Sequence, residues 1–406
     1  MILKYFIIIV LAASLLTGCA EPDGPTGSQV GGMTEGESQT AIIHANIDTS
    51  MIFPPVKTSA SQHLYVGEAY GVSSWSLIRF EQPATPEEWH VDSAKIEFHY
   101  SGGIGDGAFP DVTVEHFDMD WGETDQITRD SIPPGDPVEF AIQPLDADNG
   151  TLRIIPDTAW VRDWLSWYDS SAIDTNWVDS TRSDAGLSFL LKAENAVNKL
   201  IGFRSRSAIE NDSTGIVKPR MYIYMTIRDE EGDTLRPDTT ELYASHDLFL
   251  LDYDTTSALS DLVIGSGVVR RSFLHFDISS IDTVNYFVVI NRALLTLFNK
   301  PLDEPWAPSQ SILPYKLSDE MPGGLRGATW LNIVNKTEDL DVDEDSTEIV
   351  VTPAVASWLW GEQRNGWIAL NSGAEGLNID VFGFHSIESE AFKRPRLTIN
   401  YMRFAR

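Results

Sequence analysis

Short segments of alternating apolar and polar residues dominate the chain from residue 41 to its C-terminus. Segments such as Ala94–Tyr100, Val112–Phe117, Leu187–Leu191 and Arg396–Tyr401 alternate or run apolar between Gly, Pro, Asn and Asp residues. Period-two patterning in many short segments is typical of antiparallel strands that turn one face inward. We therefore predict a mostly β protein made of tandem antiparallel β-sandwiches.

Two segments carry apolar residues at helical spacing instead. The first follows Pro156 and places tryptophans at positions i, i+4 and i+7, namely Trp160, Trp164 and Trp167. The second follows Pro353, ends near Gly361 at a C-cap position, and carries Val355, Trp358 and Leu359. We predict one short helix per domain with its tryptophans buried against the sandwich. The alternative is an exposed tryptophan platform that binds a ligand.

Five sequence blocks recur once, in the same order. The pairs are Leu64–Gly67 with Leu262–Gly265, Ser76–Phe80 with Ser272–Phe276, Ser93–Phe98 with Arg292–Leu297, Gly202–Ser205 with Gly383–Ser386, and Lys218–Ile223 with Arg394–Ile399. Such a repeat predicts two homologous domains, at residues 41–228 and 239–406. The polar, charged segment 229–238 between them is typical of a linker.

The N-terminus has the features of a lipoprotein signal. Lys4 precedes an apolar run from Tyr5 to Leu16, which is too short to span a bilayer but suits a signal peptide. The run closes on Leu16-Thr17-Gly18-Cys19, a lipobox whose cysteine is the only one in the chain. We predict that residues 1–18 are removed, leaving Cys19 lipidated. The alternative is an ordinary signal peptide with a chance cysteine.

Residues 19–40 then read as the lipidated cysteine and a flexible tether. The segment from Ala20 to Thr40 is rich in Gly, Pro, Ser and Glu, and its ends should lie on the order of 25 Å apart. Ala20 stands where an aspartate would retain a lipoprotein in the inner membrane of enterobacteria. We therefore expect an exported protein that contacts the membrane through its lipid anchor only, at the outer membrane or cell surface.

The charge of the chain narrows its partners. It has 60 Asp and Glu against 29 Lys and Arg, a formal net charge of −31. A surface this acidic repels phosphate backbones, which argues against nucleic acid as a partner. Because no cysteine follows Cys19, packing must stabilise the domains without disulfides.

The repeated blocks resemble the DNRLRE domain, a family named for its relationship to archaeal disaggregatase. In the second copy the match lies in Phe276-Asp277, Arg292-Ala293-Leu294, Thr329-Trp330, Trp358, Ser386-Ile387-Glu388 and Arg394-Pro395-Arg396-Leu397. In the first copy it lies in Arg79-Phe80, Ser93-Ala94, Trp121-Gly122-Glu123, Trp164 and Pro219, with Glu81 where the family has Asp. The resemblance implies a jelly-roll-like, non-catalytic module of surface proteins. Some family members bind uronic-acid polymers such as alginate.

A polysaccharide ligand would need aromatic platforms and local positive charge. The candidate platforms are four tryptophans expected in loops, Trp75, Trp89, Trp177 and Trp306, and each could instead cap a hydrophobic core. The candidate cations are Arg204 and Arg206 in the first copy and Arg270 and Arg271 in the second. These arginines could equally be edge charges that oppose aggregation.

The candidates for metal and catalytic chemistry are acidic. Asp339, Asp341, Asp343 and Asp345 place oxygen ligands at alternate positions, as calcium loops do, although Glu344 and Val350 depart from the EF-hand pattern. The favoured alternative is a solvated acidic loop. The sequence therefore predicts no cofactor, or calcium if this segment binds an ion. Asp118, Asp120 and Glu123 form a second acidic group that could serve glycoside hydrolysis.

The sequence thus favours a lipid-anchored, non-enzymatic protein whose tandem β-sandwiches bind an extracellular polysaccharide. The chain contains no HExxH and no GxSxG motif. One alternative is a structural or adhesive surface protein that binds protein or matrix partners. The other is a glycan-active enzyme that uses the acidic group at Asp118–Glu123.

Overall fold

A computed structural model describes residues 36–83, 89–117, 119, 121–122, 125, 127–133, 136–137, 141–146, 150–173, 187–209, 217–228, 234–256, 259, 261–302, 309–318, 322–332, 338–341, 344–361 and 364–406. Within these residues the chain is mostly β, with two helices and antiparallel sheets in a sandwich-like arrangement. The predicted fold class is thereby confirmed. Its jelly-roll detail stays a prediction.

The strands of the N-terminal part are β1 Glu37–His44, β2 Ile47–Ile52, β3 His63–Ala69, β4 Val72–Phe80, β5 Trp89–Ile104, β6 Asp111–Phe117, β7 Asp136–Pro137, β8 Ala141–Asp146, β9 Thr151–Ile155, β10 Leu187–Glu194, β11 Lys199–Arg204 and β12 Arg220–Arg228. Helix α1 spans Thr158–Ile173, between β9 and β10.

The remaining strands are β13 Thr234–Tyr253, β14 Leu262–Gly265, β15 Arg270–Asp277, β16 Tyr286–Lys300, β17 Ser309–Leu317, β18 Pro322–Leu325, β19 Trp330–Asn332, β20 Glu338–Asp341, β21 Ser346–Val350, β22 Asn365–Ser372, β23 Val381–Phe384 and β24 Arg396–Ala405. Helix α2 spans Thr352–Leu359, between β21 and β22.

These strands form two sheets with matching topology. In the N-terminal sheet the order is β13-β12-β5-β11-β3-β4-β10-β6-β7, and β13 also pairs with β4, so that part of the sheet closes on itself. In the C-terminal sheet the order is β1-β24-β16-β23-β14-β15-β22-β17-β19, and β2 pairs with β15. The pair β1–β2 therefore occupies in the C-terminal sheet the place that β13 holds in the N-terminal sheet.

The strands at this place are exchanged between the two repeats. β1 and β2 precede the recurring block at Leu64 but pair with β24 and β15 of the second repeat. β13 precedes the recurring block at Leu262 but pairs with β12 and β4 of the first repeat. Residues 37–40, which the sequence placed in the tether, lie in β1, and residues 234–238, which it placed in the linker, lie in β13. The domain boundaries themselves stay a prediction.

An aspartate fixes each exchanged strand in the same way. On β2, Oδ2 of Asp48 accepts a hydrogen bond of 2.7 Å from the backbone N–H of Ile387, in the loop after β23. On β13, Oδ2 of Asp247 accepts one of 2.6 Å from the backbone N–H of Arg206, in the loop after β11. Burial raises the pKa of Asp48, and the hydrogen bond from Ile387 opposes that rise. The two strands are thus equivalent in position and in their polar contacts.

Each sheet encloses a hydrophobic core that holds one helix tryptophan. Trp164 of α1 and Trp358 of α2 are each only 2% exposed, and both belong to the core clusters. The prediction that the helix tryptophans are buried is confirmed for these two. Trp358 lies directly on Gly366, where a β-carbon would collide with its indole ring. The side chain of Trp167 lies outside the described residues.

A third hydrophobic cluster joins the two sheets. It combines residues of the first repeat, of the second repeat and of both exchanged strands: Ile52, Tyr65, Ala69, Val72, Leu200, Phe249, Leu251, Val268 and Ile379. Because the exchanged strands contribute to this cluster, strand pairing and apolar packing hold the two sheets together at one place.

Paired cysteines test the exchange. Thr40 and Asn400 lie opposite each other on β1 and β24, and the Thr40 hydroxyl donates a 2.9 Å hydrogen bond to Asn400 Oδ1. In a chain begun at residue 20, Thr40→Cys with Asn400→Cys should form an intramolecular disulfide on mild oxidation. Non-reducing electrophoresis and peptide mapping would detect it.

The control places the second cysteine at Tyr224, the position equivalent to Asn400 in the first repeat. Thr40→Cys with Tyr224→Cys should remain reduced in the monomer. A disulfide in this pair, or none in the first, would show that each repeat keeps its own leading strand.

Candidate functional site

A cavity of about 920 Å³ opens beside β13, on the face of the N-terminal sheet that is turned away from its main core. Three segments form its wall: Pro54–Ser59 after β2, Leu248–Asp252 on β13, and residues 125–130, of which 125 and 127–130 are described. Trp75 on β4 also lines the cavity. The two exchanged strands therefore bring this site together.

Strand alternation directs Trp75 to this face. Ile78 and Phe80 of the same strand pack in the main core, whereas Trp75 packs with Leu77 in a smaller cluster on the opposite side. Trp121 lies in that smaller cluster and is 2% exposed, with its indole N–H donating a 3.0 Å hydrogen bond to Ser188 Oγ. The outer cluster gives the half-buried Trp75 a fixed position at the cavity wall.

Two cations lie over the ring of Trp75. The guanidinium carbon of Arg129 is 4.2 Å from the ring centroid and the Lys192 Nζ is 4.7 Å from it. Lys192 is also held by Glu115, whose Oε2 lies 2.6 Å from its Nζ. Trp75, which is predicted from the sequence as a platform for a sugar, thus makes cation–π contacts with both side chains at the cavity wall.

Arg129 is the polar group of greatest chemical interest in the cavity. Its Nη1 lies 3.6 Å from Oδ2 of Asp252, whereas its Nε and Nη2 are buried with no hydrogen-bond partner among the described residues. Burial lowers the pKa of the guanidinium, and the carboxylates of Asp252 and Glu68 oppose that shift. The side chain as a whole is half-buried, at 16% exposed, and a guanidinium with unpaired N–H groups at a cavity wall is suited to bind a carboxylate or a group of hydroxyls.

The remaining wall supplies groups that can bind hydroxyls. Asp125, Asp130 and Asp252 offer carboxylate oxygens, and Thr128 offers a hydroxyl. Ile127 and the leucines of β13 supply apolar surface. A mixed wall of this kind, with two cations and several acceptors, matches a polyhydroxylated ligand better than a purely apolar one.

The other described candidates from the sequence lie elsewhere. Trp89, at the start of β5, is half-buried and packs against the N-terminal core, which agrees with the core-capping alternative. Arg204 ends β11, and the burial of His63 together with the charge of Arg204 lowers the pKa of that histidine. Arg206 bonds Asp247 through its backbone N–H. None of the three lines the cavity.

The two arginines of the second copy have structural contacts. Arg270 is 8% exposed and lies in β15. Arg271 binds both carboxylate oxygens of Glu375, with its Nε at 2.9 Å and its Nη2 at 2.7 Å. Its guanidinium also lies over the rings of Phe53 and Trp330, at 4.6 and 4.9 Å. This side chain is therefore held within the protein.

Several candidates lie outside the described residues. They are Cys19, Asp118, Asp120, Glu123, Trp177, Trp306 and Asp343. Asp339 and Asp341 belong to β20, which pairs with β17, and Asp345 is exposed beyond it. The first two thus lie in a strand where a loop was expected. Among the described residues, no group of three or more His, Cys, Asp or Glu side chains is placed to hold a metal ion.

Sequence reasoning missed Arg129 and the cavity around it. Arg129 lies in a short 3-10 turn, and nothing in its neighbours distinguishes it from other surface arginines. Its importance follows from its contact with Trp75, 54 positions earlier in the chain, and from its burial under a loop. Neither property leaves a periodic signal in the sequence.

A second titratable group is buried between the two sheets. Burial raises the pKa of Asp380 to about 6, with side-chain hydrogen bonds from Asn378 and Ser266 opposing the rise. The adjoining cavity has a volume of only about 20 Å³, lined by Ala69 and Leu200 from one sheet and Arg270 from the other. That volume is enough for a single water, so Asp380 has no space for a substrate.

The comparisons assign no family. A scan against protein-family profiles and a search of curated proteins both find no match to this chain. The likeness to the DNRLRE domain therefore stays a prediction from the residues that carry it. In the described part of the chain, no helix is both long and apolar enough to cross a membrane.

The raised pKa of Asp380 makes stability depend on pH. The folded protein keeps this proton up to about pH 6, whereas the unfolded chain releases it near 3.8, so the contribution of Asp380 to stability falls as pH rises between these values. Asp380→Asn should remove this loss and raise the free energy of unfolding at pH 7.5, relative to wild type, by about 1–3 kcal/mol.

Urea unfolding at pH 4, 5, 6 and 7.5 would measure this effect. Asp163→Asn, at an exposed position on α1, controls for the loss of one surface charge. If wild type and Asp380→Asn have parallel pH profiles, the carboxyl is not desolvated as described.

Proposed function

We propose that this chain is a lipid-anchored, non-catalytic protein of the cell envelope that binds an extracellular polysaccharide. The observation that carries the proposal is Arg129, which is half-buried on Trp75 at the cavity wall and whose Nε and Nη2 have no hydrogen-bond partner among the described residues. Cell-surface location, outer-membrane attachment and the absence of nucleic-acid partners remain part of the proposal, with the lipobox and the net charge of −31 as their support.

The chemistry of the cavity favours a sugar that carries a carboxylate. An arginine fork binds a carboxylate through two parallel hydrogen bonds, and the neighbouring aspartates can accept hydrogen bonds from sugar hydroxyls. A polyanion would be repelled by the acidic protein as a whole, so binding requires local positive charge. Arg129 and Lys57 supply two positive charges in this cavity, which is also lined by Asp125, Asp130 and Asp252. A uronic-acid polymer, as the family resemblance implies, fits these requirements.

Among its described residues, the second repeat lacks the cation–π arrangement of Trp75, in which the strand residue is the aromatic ring. In the alignment of the repeated blocks, Arg271 of the second repeat corresponds to Trp75 of the first. Both positions make cation–π contacts, but here the strand residue Arg271 is the cation, and the rings belong to Phe53 and Trp330. Because Arg271 is also bound to Glu375, we assign polysaccharide binding to the first repeat alone. The tandem jelly-roll domains would then have different roles.

Substitution of the two central residues tests the site. In a chain begun at residue 20, Arg129→Ala should weaken binding to a polyuronate roughly 10- to 100-fold, because a charge-assisted pair is lost. Arg129→Lys should recover only part of it, since lysine keeps the charge without the fork. Trp75→Ala should also weaken binding, because Arg129 loses the ring that positions it.

Titration calorimetry with alginate, polygalacturonate and neutral dextran would measure these affinities, with calcium and then with chelator. Arg204→Ala is the matched control, an arginine of the same sheet outside the cavity. Loss of binding on chelation would support calcium at Asp339–Asp345. No binding to any polymer, or unchanged binding by Arg129→Ala, would contradict the proposal and favour a structural or adhesive protein.

The anchor has a separate test. Cys19→Ser should abolish incorporation of labelled fatty acid and release the protein from the membrane fraction of expressing cells. Mass spectrometry of the N-terminal peptide would identify the modification. Wild-type and Cys19→Ser chains equally retained in the membrane would overturn the lipid anchor and leave the cavity assignment untouched.

A further inference from the structure

An apolar patch lies on the outward face of the C-terminal sheet, at the end where β16 begins and β24 ends. Phe287 lies opposite Phe404 and Val289 lies opposite Met402 in the ladder of these strands. Trp360, directly after α2, has its ring 5.5 Å from that of Phe287. We call these five residues the apolar face.

Part of this face is open to solvent, although Phe404 is only 7% exposed. Trp360 is 55% exposed and Val289 is 40% exposed, whereas the neighbouring Val288 points into the core and is fully buried. Trp358, two residues earlier and within α2, is 2% exposed. The helix thus ends with one tryptophan in the core and another at the surface, where no described residue covers it.

The chain enters the described structure at the same place. Gly36 lies directly against the side chains of Phe404 and Met402, so close that a β-carbon there would collide with both. Glu37 follows and binds Arg403 on β24, with Oε2 2.7 Å from Nε. Sixteen residues, 20–35, separate Gly36 from Cys19. As a coil, that length spans roughly 20–25 Å.

We propose that the apolar face docks on the lipid surface to which Cys19 is attached. This inference rests on the lipid anchor of the proposed function. If Cys19 is anchored in the bilayer, residues 20–35 limit how far Gly36 and the apolar face can lie from the lipid surface. An exposed tryptophan with aromatic and aliphatic neighbours is the combination that favours the interface between headgroups and acyl chains.

The charges near the apolar face indicate the headgroup charge of the lipids that it can contact. Glu37 and Arg403 neutralise each other beside it. The chain as a whole carries −31, which opposes contact with anionic headgroups. Docking therefore depends on apolar contact with zwitterionic lipid. A face of five residues binds weakly by itself, and tethering makes the contact effectively intramolecular.

A site-specific probe tests the orientation without requiring acylation. A chain begun at residue 20, with an N-terminal histidine tag, would be held on phosphatidylcholine vesicles that contain a nickel-chelating lipid. A bimane label would be placed at Val284→Cys, which is 70% exposed just before β16. The control label would be at Phe392→Cys, which is 61% exposed. Phe392 lies shortly before the first residue of β24, at the end of that strand opposite to Phe404.

Quenching of bimane by nitroxide-labelled headgroups would report contact with the surface. The label at residue 284 should be quenched several-fold more than the label at residue 392. Trp360→Ala with Phe287→Ser should reduce the docked fraction roughly tenfold or more, since each large apolar side chain contributes at least that much to transfer out of water. Trp360→Ala alone is the milder variant, with circular dichroism as the check on folding.

The outcomes separate the docking from the anchor and from other occupants. Equal quenching at both positions, or quenching that persists in the double variant, would overturn the docking. A concentration-dependent dimer of the untethered chain that the double variant abolishes would assign the face to a second copy and also overturn it. Because the histidine tag replaces the acyl chains, a failure of docking in this experiment does not bear on the acylation of Cys19. That modification is tested separately by Cys19→Ser.

Discussion

The backbone hydrogen bonds between β1 and β24, and between β13 and β12, hold this molecule together as one unit. Each ladder joins a strand that leads one repeat to the strand that closes the other. If each repeat kept its own leading strand, two separate sandwiches on a linker would result. The exchange instead gives the two sheets a shared hydrophobic cluster, and the aspartates Asp48 and Asp247 fix the same strand position in both.

The candidate site is a product of that exchange. Its wall combines β13 with the segment that follows β2. β13 is the exchanged strand in the N-terminal sheet, and β2 is an exchanged strand in the C-terminal sheet. Thr58 ties the two together, because its hydroxyl donates to the carbonyl of Phe249 and accepts a 2.9 Å hydrogen bond from its backbone N–H. The second repeat has the same strand framework but fills the corresponding position with Arg271. The two repeats thus share one strand framework, and in the described part of the chain the cavity lies beside the first of them.

Local pattern allowed the strands, the two helices and the buried tryptophans to be predicted, because alternation and helical spacing depend on neighbours in the sequence. It could not predict which edge each leading strand would join. Asp48 on β2 and Asp247 on β13 make equivalent contacts, so the local pattern does not distinguish the two leading strands. Which sheet each strand joins is decided by the pairing in the complete fold. The site was harder to predict. Trp75 was identified as an aromatic candidate, but its cationic neighbours come from a distant turn and from β10, and Arg129 gained its chemistry through burial.

The pairing of β1 with β24 has a consequence for how the chain is made. Thr40 and Asn400 are hydrogen-bonded across 360 positions, so the first strand to form finds its partner only when synthesis is almost finished. Contacts of such separation slow folding, since a long loop must close before they are gained. Until then β1 is an unpaired edge that can join another emerging chain. A protein built this way depends on being kept apart from its neighbours until its last residues arrive.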